Sequence, residues 1–351
     1  MVATFERAVA KAFLVIDTVR GTERLLYKSP VIMWHPSVSP DGNRLAYVTG
    51  EPEWDVVEIS LADRSVHSLV AGGGIAWWPA WHPSGTHFAY STAREGAFAI
   101  VDKSSQEGFT RRLAESQADG LAETPLWAPE GSRFLYYSSA SFAGKLMLSN
   151  ASGGRTITLD SAAVNGLATW SPDSQWVGYI RLEKNEAQLV KIRPGSAEAP
   201  IVLFRITIVR DLPPGLYLRM EWSPAGDWIA YPNPKENFGL SLISPDGQKT
   251  RRLTSRQFAV FGFSKDGSQV YGLYRNTSPA GAEWQLYSVD VKTGAEKLLG
   301  SVDFPPDTES LAGFSLHPDG KRFLTSIAKW PFDIWMLEGF DQHKRWWNRL
   351  F

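Results

Sequence analysis

The sequence predicts an all-β fold, a seven-bladed β-propeller built from four-stranded antiparallel blades. Three observations predict this fold. A turn phrase recurs seven times along the 351 residues, an apolar run of strand length follows each copy, and no long segment shows the 3.6-residue periodicity of a helix. Each repeat of roughly 45 residues holds about four strand-length segments, which is the content of one propeller blade.

The repeat is recognised by a turn proline, which lysine replaces in one copy. These anchor positions are Pro40, Pro83, Pro129, Pro172, Pro224, Lys265 and Pro318. Proline presets the φ angle of a type I turn, and the residue two positions later accepts a positive φ at the exit of the turn. That residue is Ser174 in one copy and glycine in the others. The phrase therefore predicts a hairpin, the anchor turn, between the first and second strands of each blade.

A second column of the repeat holds large apolar residues two positions before the anchor. Its members are Val38, Trp81, Trp127, Trp170, Trp222, Phe263 and Leu316. Aromatic side chains bury large areas, so this column predicts equivalent packing sites in successive blades. The segments that follow the anchor, such as "RLAYV", "RFLYY" and "WIAYP", are nearly continuous apolar runs. Such runs are typical of strands that are covered on both faces.

The two ends of the chain raise the question of closure. The N-terminal segments "FLVIDTV" and "ERLLY" look like third and fourth strands without a first and second. We expect one or both to complete the last blade, because this would remove an open sheet edge. The strands near Leu14 and near Trp335 compete for one position, and the sequence does not choose between them. The predicted organisation is an N-terminal extension 1–12, one propeller 13–340 and a C-terminal tail 341–351.

Composition excludes several classes of function. The chain has no cysteine, which excludes disulfides, thiolate nucleophiles and Cys-ligated zinc. The net charge is −1, so the basic excess of a nucleic-acid-binding protein is missing. No apolar run approaches 18 residues and the first residues lack the pattern of a signal peptide, so we expect neither a membrane span nor a secretory signal.

The repeats "VSPDGNRLAYV", "WHPSGTHFAYS" and "WSPAGDWIAY" resemble those of TolB-like propellers, which are WD40-like repeats of the PD40 type. Similar repeats occur in the propeller of prolyl oligopeptidase-type enzymes. The ending "PFDIWMLEGF" resembles the last strand of propellers appended to bacterial receptor-type Ser/Thr kinases and winged-helix regulators. The resemblance implies a bacterial sensing or interaction module, although the chain lacks the loop motifs of a kinase. It also implies an extracytoplasmic location if the chain belongs to a longer TolB-like or receptor protein, and a cytoplasmic one otherwise.

The sequence was also searched for catalytic patterns. No Gly-x-Ser-x-Gly elbow occurs, and His82 and His317 fall in the repeat column just before the anchor, where we expect a structural role. Glycosidase chemistry needs two facing carboxylates, and the candidates are Glu51, Glu53, Asp55, Glu183, Glu186 and Glu221. Of these, only Glu221 lies outside segments that look like solvated loops. We predict no catalytic residue, no metal and no cofactor.

A ligand or partner is expected on the loops at the strand ends opposite the anchor turns. Loops on a rigid scaffold commonly carry binding sites, and aromatic and arginine side chains are the usual hot spots. The predicted binding residues are Trp54, Trp78, Arg94, Arg181, Tyr217 and Arg219. An ordinary surface or core role is the alternative for each. Trp346 and Trp347 in the tail form a second candidate contact for a partner.

Three functional hypotheses follow from these observations. The first is a non-catalytic interaction or sensing module that binds a protein, peptide or small ligand on its loop face. The second is a polysaccharide lyase or hydrolase with its active site in the central channel, which converging histidine, arginine and carboxylate side chains would favour. The third is the detached sensor domain of a regulatory kinase or transcription regulator.

Overall fold

A computed structural model describes most of the chain. The described residues are 2–7, 10–17, 19–29, 33–50, 52–72, 74–94, 97–106, 108–115, 121–139, 143–164, 168–183, 186–207, 219–279 and 281–339. The chain divides into two compact units: unit 1 contains residues 1–53 and 329–351, and unit 2 contains residues 54–328. Within the described ranges, no helix has the length and apolar character needed to cross a membrane.

The described residues form mainly strands, which confirms the predicted all-β class. In chain order the strands are β1 (Val2–Arg7), β2 (Ala10–Asp17), β3 (Thr22–Ser29), β4 (Met33–Val38), β5 (Arg44–Thr49), β6 (Glu53–Ser60), β7 (Val66–Val70), β8 (Ile75–Trp81), β9 (His87–Arg94), β10 (Ala97–Ser104), β11 (Thr110–Glu115), β12 (Leu121–Trp127), β13 (Arg133–Ser139), β14 (Ala143–Asn150), β15 (Ile157–Val164), β16 (Thr169–Trp170), β17 (Val177–Glu183), β18 (Glu186–Ile192), β19 (Ile201–Thr207), β20 (Glu221–Trp222), β21 (Ile229–Asn233), β22 (Gly239–Ile243), β23 (Thr250–Arg252), β24 (Val260–Phe263), β25 (Gln269–Ser278), β26 (Gly281–Asp290), β27 (Glu296–Ser301), β28 (Thr308–Leu316), β29 (Arg322–Lys329) and β30 (Asp333–Glu338). A 3-10 turn, Pro234–Glu236, separates β21 from β22.

The seven predicted anchor-turn hairpins are all present. They are β4–β5, β8–β9, β12–β13, β16–β17, β20–β21, β24–β25 and β28–β29. The residue two positions after the anchor has a φ between 58° and 78° in every copy, as the turn chemistry predicts. Side chains close the turns: the Arg44 N–H donates to Ser39 Oγ at 3.0 Å, and the Asn43 N–H donates to Asp41 Oδ1 at 3.1 Å. These local bonds explain why the turn sequence specifies the hairpin.

Five of the repeats form four-stranded antiparallel groups in chain order. These groups are β8 to β11, β12 to β15, β16 to β19, β20 to β23 and β24 to β27. Two bridges, each of a single residue pair, join strands of different groups: Trp54 with Ile75, and Ala163 with Arg181. Each group therefore corresponds to one blade of the predicted fold, with the anchor turn between its first two strands.

The first and last repeats combine their strands differently. The hairpin β28–β29 continues into β6, and β6 pairs with β7, so these four strands of unit 2 form a sixth group. The Leu61 N–H donates to the Lys321 carbonyl oxygen at 2.9 Å, and Arg322 forms an ion pair with Glu58 at 3.3 Å. The hairpin β4–β5 belongs to unit 1, where β30 pairs with β5.

This pairing corrects the expected position of the N-terminal strands. The strand near Leu14 is β2, which pairs with β1 and β3, and the strand near Trp335 is β30. Neither strand takes the place beside β29, because β6 occupies it. The third strand of a blade is covered on both faces. β6 fits this position because its adjacent residues Val56 and Val57, which point to opposite faces, are both buried. The count of seven blades is not confirmed, and the proposed domain limits at residues 12 and 341 stay predictions.

The apolar column before the anchor packs as the repeat predicts. Trp81, Trp127, Trp170 and Trp222 end the first strands β8, β12, β16 and β20, and all four are 5% to 7% exposed. Phe263, in the same column at the end of β24, is buried as well. Because equivalent residues have equivalent surroundings, the repeat seen in the sequence is a repeat of packing sites.

Candidate functional site

The first strands of the six groups in unit 2 line one cavity of about 330 Å³. Its wall is largely aromatic, with Trp78, Trp127, Trp170, Trp222, Phe263 and Phe314. The polar lining includes Arg219, Glu221 and Lys265. A concave, mainly apolar cavity with a few polar groups is the usual form of a small-ligand site, and this volume lies at the lower end of the usual range.

Side chains three positions before the anchor hold neighbouring first strands together around the cavity. Thr169 Oγ1 accepts a hydrogen bond from the Trp222 N–H at 2.8 Å, and Ser315 Oγ accepts one from the Trp81 N–H at 2.8 Å. Glu221 occupies the same column, and its Oε1 accepts from the Phe263 N–H at 3.2 Å. Each bond satisfies a backbone donor that would otherwise be buried without a partner. Glu221 therefore has a structural role in addition to its position in the cavity.

The cavity contains an ion pair between Arg219 and Glu221. The two residues are two positions apart in an extended segment, so their side chains point to the same side. Arg219 Nη2 donates to Glu221 Oε2 at 3.2 Å, and the guanidinium lies over the Phe314 ring at 5.9 Å. The two side chains keep exposed fractions of 19% and 21%. Arg219 Nε is buried and has no hydrogen-bond partner among the described residues.

Burial perturbs both members of this pair. Loss of hydration raises the pKa of Glu221, and the attraction of Arg219 and the hydrogen bond from Phe263 only partly oppose that increase. Loss of hydration also lowers the pKa of Arg219, against the attraction of Glu221, but a guanidinium remains protonated at any ordinary pH. Desolvation disfavours a charged carboxylate unless strong bonds replace its hydration. The site therefore holds a permanent cation beside a carboxylate that takes up a proton more readily than usual.

Close backbone approaches shape two sides of the cavity. Trp78 has a φ of 53°, which is uncommon for a residue other than glycine. Gly313, with a φ of 76°, faces it, and a Cβ atom at Gly313 would lie 3.3 Å from Trp78 Cα. At Gly262, a Cβ atom would clash with the Phe314 ring. Both glycines are needed for the strands to approach each other at this distance.

The histidines before the anchor connect neighbouring hairpins, which confirms their expected structural role. His82 Nε2 lies 3.0 Å from the Gly131 carbonyl oxygen, and His317 Nε2 lies 3.0 Å from that of Gly85. Within the part of the chain that the structure describes, no group of three or more His, Cys, Asp or Glu side chains is placed to hold a metal ion. The predictions of no metal and no cofactor remain untested.

Of the predicted binding residues, the structure brings Trp78 and Arg219 together in the cavity. Trp54 is buried in β6 against Trp77, with 5.6 Å between ring centroids. Arg181 lies in β17 and forms an ion pair with Asp160 at 3.4 Å. Arg94 ends β9, but its side chain and all of Tyr217 lie outside the described residues. The cavity lining includes the anchor residues Pro129, Pro224 and Lys265, whereas the ligand was predicted at the opposite strand ends; that loop face stays a prediction.

Sequence reasoning missed the convergence of six first strands on one cavity. The signal available was the column three positions before the anchor, which carries a side-chain oxygen in Thr169, Glu221 and Ser315. A polar residue between two apolar neighbours in a covered strand needs a hydrogen-bonding partner. That partner lies in another repeat, the next one for Thr169 and Glu221 and a distant one for Ser315, so it could not be identified from local sequence.

The chain matches a known protein family. The family model described as TolB beta propeller domain matches residues 3–260, which is more than half of the chain. No curated protein matches the chain.

Similar solved structures share the fold at low sequence identity. A putative TolB from Agrobacterium tumefaciens has a TM-score of 0.60 at 14% identity, with 80% of this chain and 99% of that chain covered. TolB from Acinetobacter baumannii has a TM-score of 0.51 at 12% identity, covering 94% of this chain and 81% of that one. An oligogalacturonate lyase in complex with manganese has a TM-score of 0.50 at 14% identity, covering 83% and 77%. At these identities the similarity establishes the propeller fold alone.

Proposed function

We propose, given that the chain belongs to the TolB β-propeller family, that it is a non-catalytic binding module and that it takes its ligand into the aromatic cavity of unit 2. The observation that carries the proposal is the cavity itself, in which tryptophans from several first strands surround one ion pair. Aromatic side chains provide a large contact area at a small cost in conformational entropy. Such a site suits a small ligand, or the end of a peptide, that has an apolar body and a polar group.

The first test fills the cavity without disturbing the repeat. Leu316 lines the cavity and occupies the column in which four other repeats have tryptophan. The substitution Leu316→Trp therefore introduces a residue that this position of the repeat accommodates, and it reduces the free volume. The matched control is Leu298→Trp on β27, where Leu298 is 49% exposed.

The measurement is binding of a panel of acylated amino acids, tripeptides and oligosaccharides by ligand-observed NMR. We expect at least one compound to bind the unmodified protein and Leu298→Trp, and to lose about tenfold or more in affinity for Leu316→Trp, because filling the cavity excludes the ligand. Equal binding to all three proteins, or no binding by any compound, would argue against the cavity as the binding site.

An enzyme with its active site in the cavity is the second candidate. The observation that favours it is the raised pKa of Glu221 beside Arg219, since perturbed carboxylates are common among catalytic acids and bases. In that case a compound of the panel would be converted, and Glu221→Gln would abolish the conversion while leaving binding in place. Binding without conversion would support the binding module. The hydrogen bond from Phe263 to Glu221 supports the structural alternative for this carboxylate.

The wider role of the module is also part of the proposal. In a sensing or recruiting module, a ligand bound in the cavity would control whether a partner can bind the protein surface around it. The candidate contact at Trp346 and Trp347 lies outside the described residues and stays a prediction, as do the bacterial origin and the compartment. A partner that competes with a cavity ligand would connect the two activities.

A further inference from the structure

The hydrogen bonding of Arg219 indicates what chemical group the cavity receives. A guanidinium carries five N–H donors, and among the described residues Arg219 makes one hydrogen bond, from Nη2 to Glu221 Oε2. The buried Nε atom has no partner there. Nη1 also makes no hydrogen bond among the described residues, and unlike Nε it is not fully buried, so a ligand in the cavity that accepts its hydrogen bonds gains affinity.

The charges around the cavity also favour an anionic ligand. Among the described residues that line the cavity, Arg219 and Lys265 are cations and Glu221 is the one carboxylate. Both carboxylate oxygens of Glu221 already accept hydrogen bonds, Oε1 from the Phe263 N–H and Oε2 from Arg219. Among the described residues, Arg219 keeps donors that have no partner, and these donors suit an anion.

The surroundings of Arg219 define the rest of the ligand. The guanidinium lies over Phe314, and the same cavity is lined by Trp127, Trp170 and Trp222. Hydrogen bonds between an arginine and a carboxylate are among the stronger polar interactions, and a low-polarity wall strengthens them further. A ligand with an apolar or aromatic body next to its anionic group matches both features.

We propose that Arg219 binds a ligand carboxylate that is attached to an apolar or aromatic group, either in a free acylated amino acid or at the C-terminus of a peptide. This inference rests on the proposed binding role of the cavity and specifies its ligand class. The ligand carboxylate approaches the side of the guanidinium that Glu221 leaves free. Glu221 in its charged form repels the ligand, and its replacement by an uncharged group strengthens binding.

The test compares two probes of the same shape, N-acetyl-phenylalanine and N-acetyl-phenylalaninamide. Their binding is followed by the change in tryptophan emission of the protein, excited where phenylalanine does not absorb. We expect the acid to bind about tenfold more tightly than the amide, because only the acid forms charge-assisted hydrogen bonds with Arg219. Gly-Gly-Phe with a free and with an amidated C-terminus distinguishes the two sources: equal preference in both probe pairs indicates that a peptide end is accepted, and preference in the acylated pair alone indicates a free acid.

Three variants test which residues cause the preference for the acid over the amide. Arg219→Met should reduce the ratio of acid to amide affinity to about one, and Lys265→Met should change it by less than about threefold, because an exposed charge interacts weakly. Glu221→Gln should increase acid affinity at neutral pH, and it keeps the inference testable if Arg219→Met does not fold. Circular dichroism establishes the folding of each variant.

Several outcomes would overturn the inference. These are equal binding of acid and amide, an acid preference that survives in folded Arg219→Met, a lower acid affinity in Glu221→Gln, and no binding of either probe. Equal binding would leave the cavity as a binding site and remove only the anion preference. Absence of binding would remove the ligand class, and the Leu316→Trp experiment decides separately whether the cavity binds any ligand.

Discussion

Glu221 combines two different contacts in one side chain. It accepts the Phe263 N–H across two first strands and pairs with Arg219 inside the cavity. The equivalent residues Thr169 and Ser315 form the inter-strand bond with neutral hydroxyl groups. A carboxylate is therefore not required for the bond, and its charge costs hydration in a buried position. The choice of glutamate at this column fits a role beyond joining strands.

The raised pKa of Glu221 predicts a pH dependence of stability. The folded state holds the proton more tightly than the unfolded state, so the free energy of unfolding falls as pH rises from about 4.5 through the raised pKa. Glu221→Gln removes this titration. We expect the difference in unfolding free energy, unmodified protein minus variant, to decrease as pH rises above about 4.5, by at most about 1.4 kcal/mol per pH unit. Urea unfolding at several pH values measures it, and a flat or rising difference would contradict the assigned direction.

At the level of elements, the anchor turns are also the places where neighbouring blades contact each other. His82, in the β8–β9 turn, joins the β8 to β11 group to Gly131 of the next group. His317, in the β28–β29 turn, joins its own group to Gly85 of the β8 to β11 group. Each imidazole also meets a tryptophan of the following group edge-on, His82 with Trp127 at 4.8 Å and His317 with Trp81 at 4.6 Å. This group is therefore held by imidazole bonds on both sides.

His82 is expected to make this junction sensitive to acid. Burial is the main cause that lowers the pKa of His82, so its stabilising contribution is present above about pH 6.5 and is lost as pH falls through the lowered pKa. The neighbouring titratable and charged groups are His87, Asp102 and Arg111. His82→Ala should cost about 1 to 2 kcal/mol at pH 8 and less at pH 5.5.

Thermal and urea unfolding measure the effect of His82→Ala, with His67→Ala, at an exposed position of β7, as the control. A cost that does not depend on pH would contradict the proposed titration. A cost no greater than that of His67→Ala would contradict the structural role of the bond.

On the scale of the whole molecule, residues far apart in sequence complete one sheet of unit 2. β6 pairs with β7 and with β29, and the hairpin β28–β29 comes from the other end of that unit. The core of this sheet contains Val57 and Ile59 of β6 together with Phe314 and Phe323, whose rings stack at 4.4 Å. The stability of β6 and β7 therefore depends on residues near the end of unit 2.

Phe323→Ala tests this dependence. Removing a fully buried ring should lower the free energy of unfolding by about 3 to 5 kcal/mol. Hydrogen exchange should then increase in residues 53–60 as well as in the altered strand, because both belong to one core. Leu298→Ala, at a half-exposed position, should cost less than about 1 kcal/mol. Faster exchange confined to residues 308–329 would show that β6 is held independently.

The hairpins could be predicted because their chemistry is local. Proline at the anchor and a positive φ two residues later determine the turn within a few residues, and all seven hairpins are present. The partner of β29 could not be predicted, because "FLVIDTV", "FDIWML" and "DVVEIS" are all apolar enough to be a third strand. Long-range packing selects among them. The cavity escaped prediction for the same reason, although Trp78 and Arg219 were identified as individual candidates.

The exchange of strands between the first and last repeats has a consequence for biosynthesis. Residues of β6 leave the ribosome long before those of β29, and at ordinary translation rates the delay is on the order of ten seconds or more. During that interval the side chains of Val57 and Ile59 lack the buried neighbours that they have in the finished unit, since those neighbours lie between residues 260 and 327. The nascent chain thus exposes an apolar segment to which a chaperone could bind, and a prematurely terminated chain would keep this segment exposed.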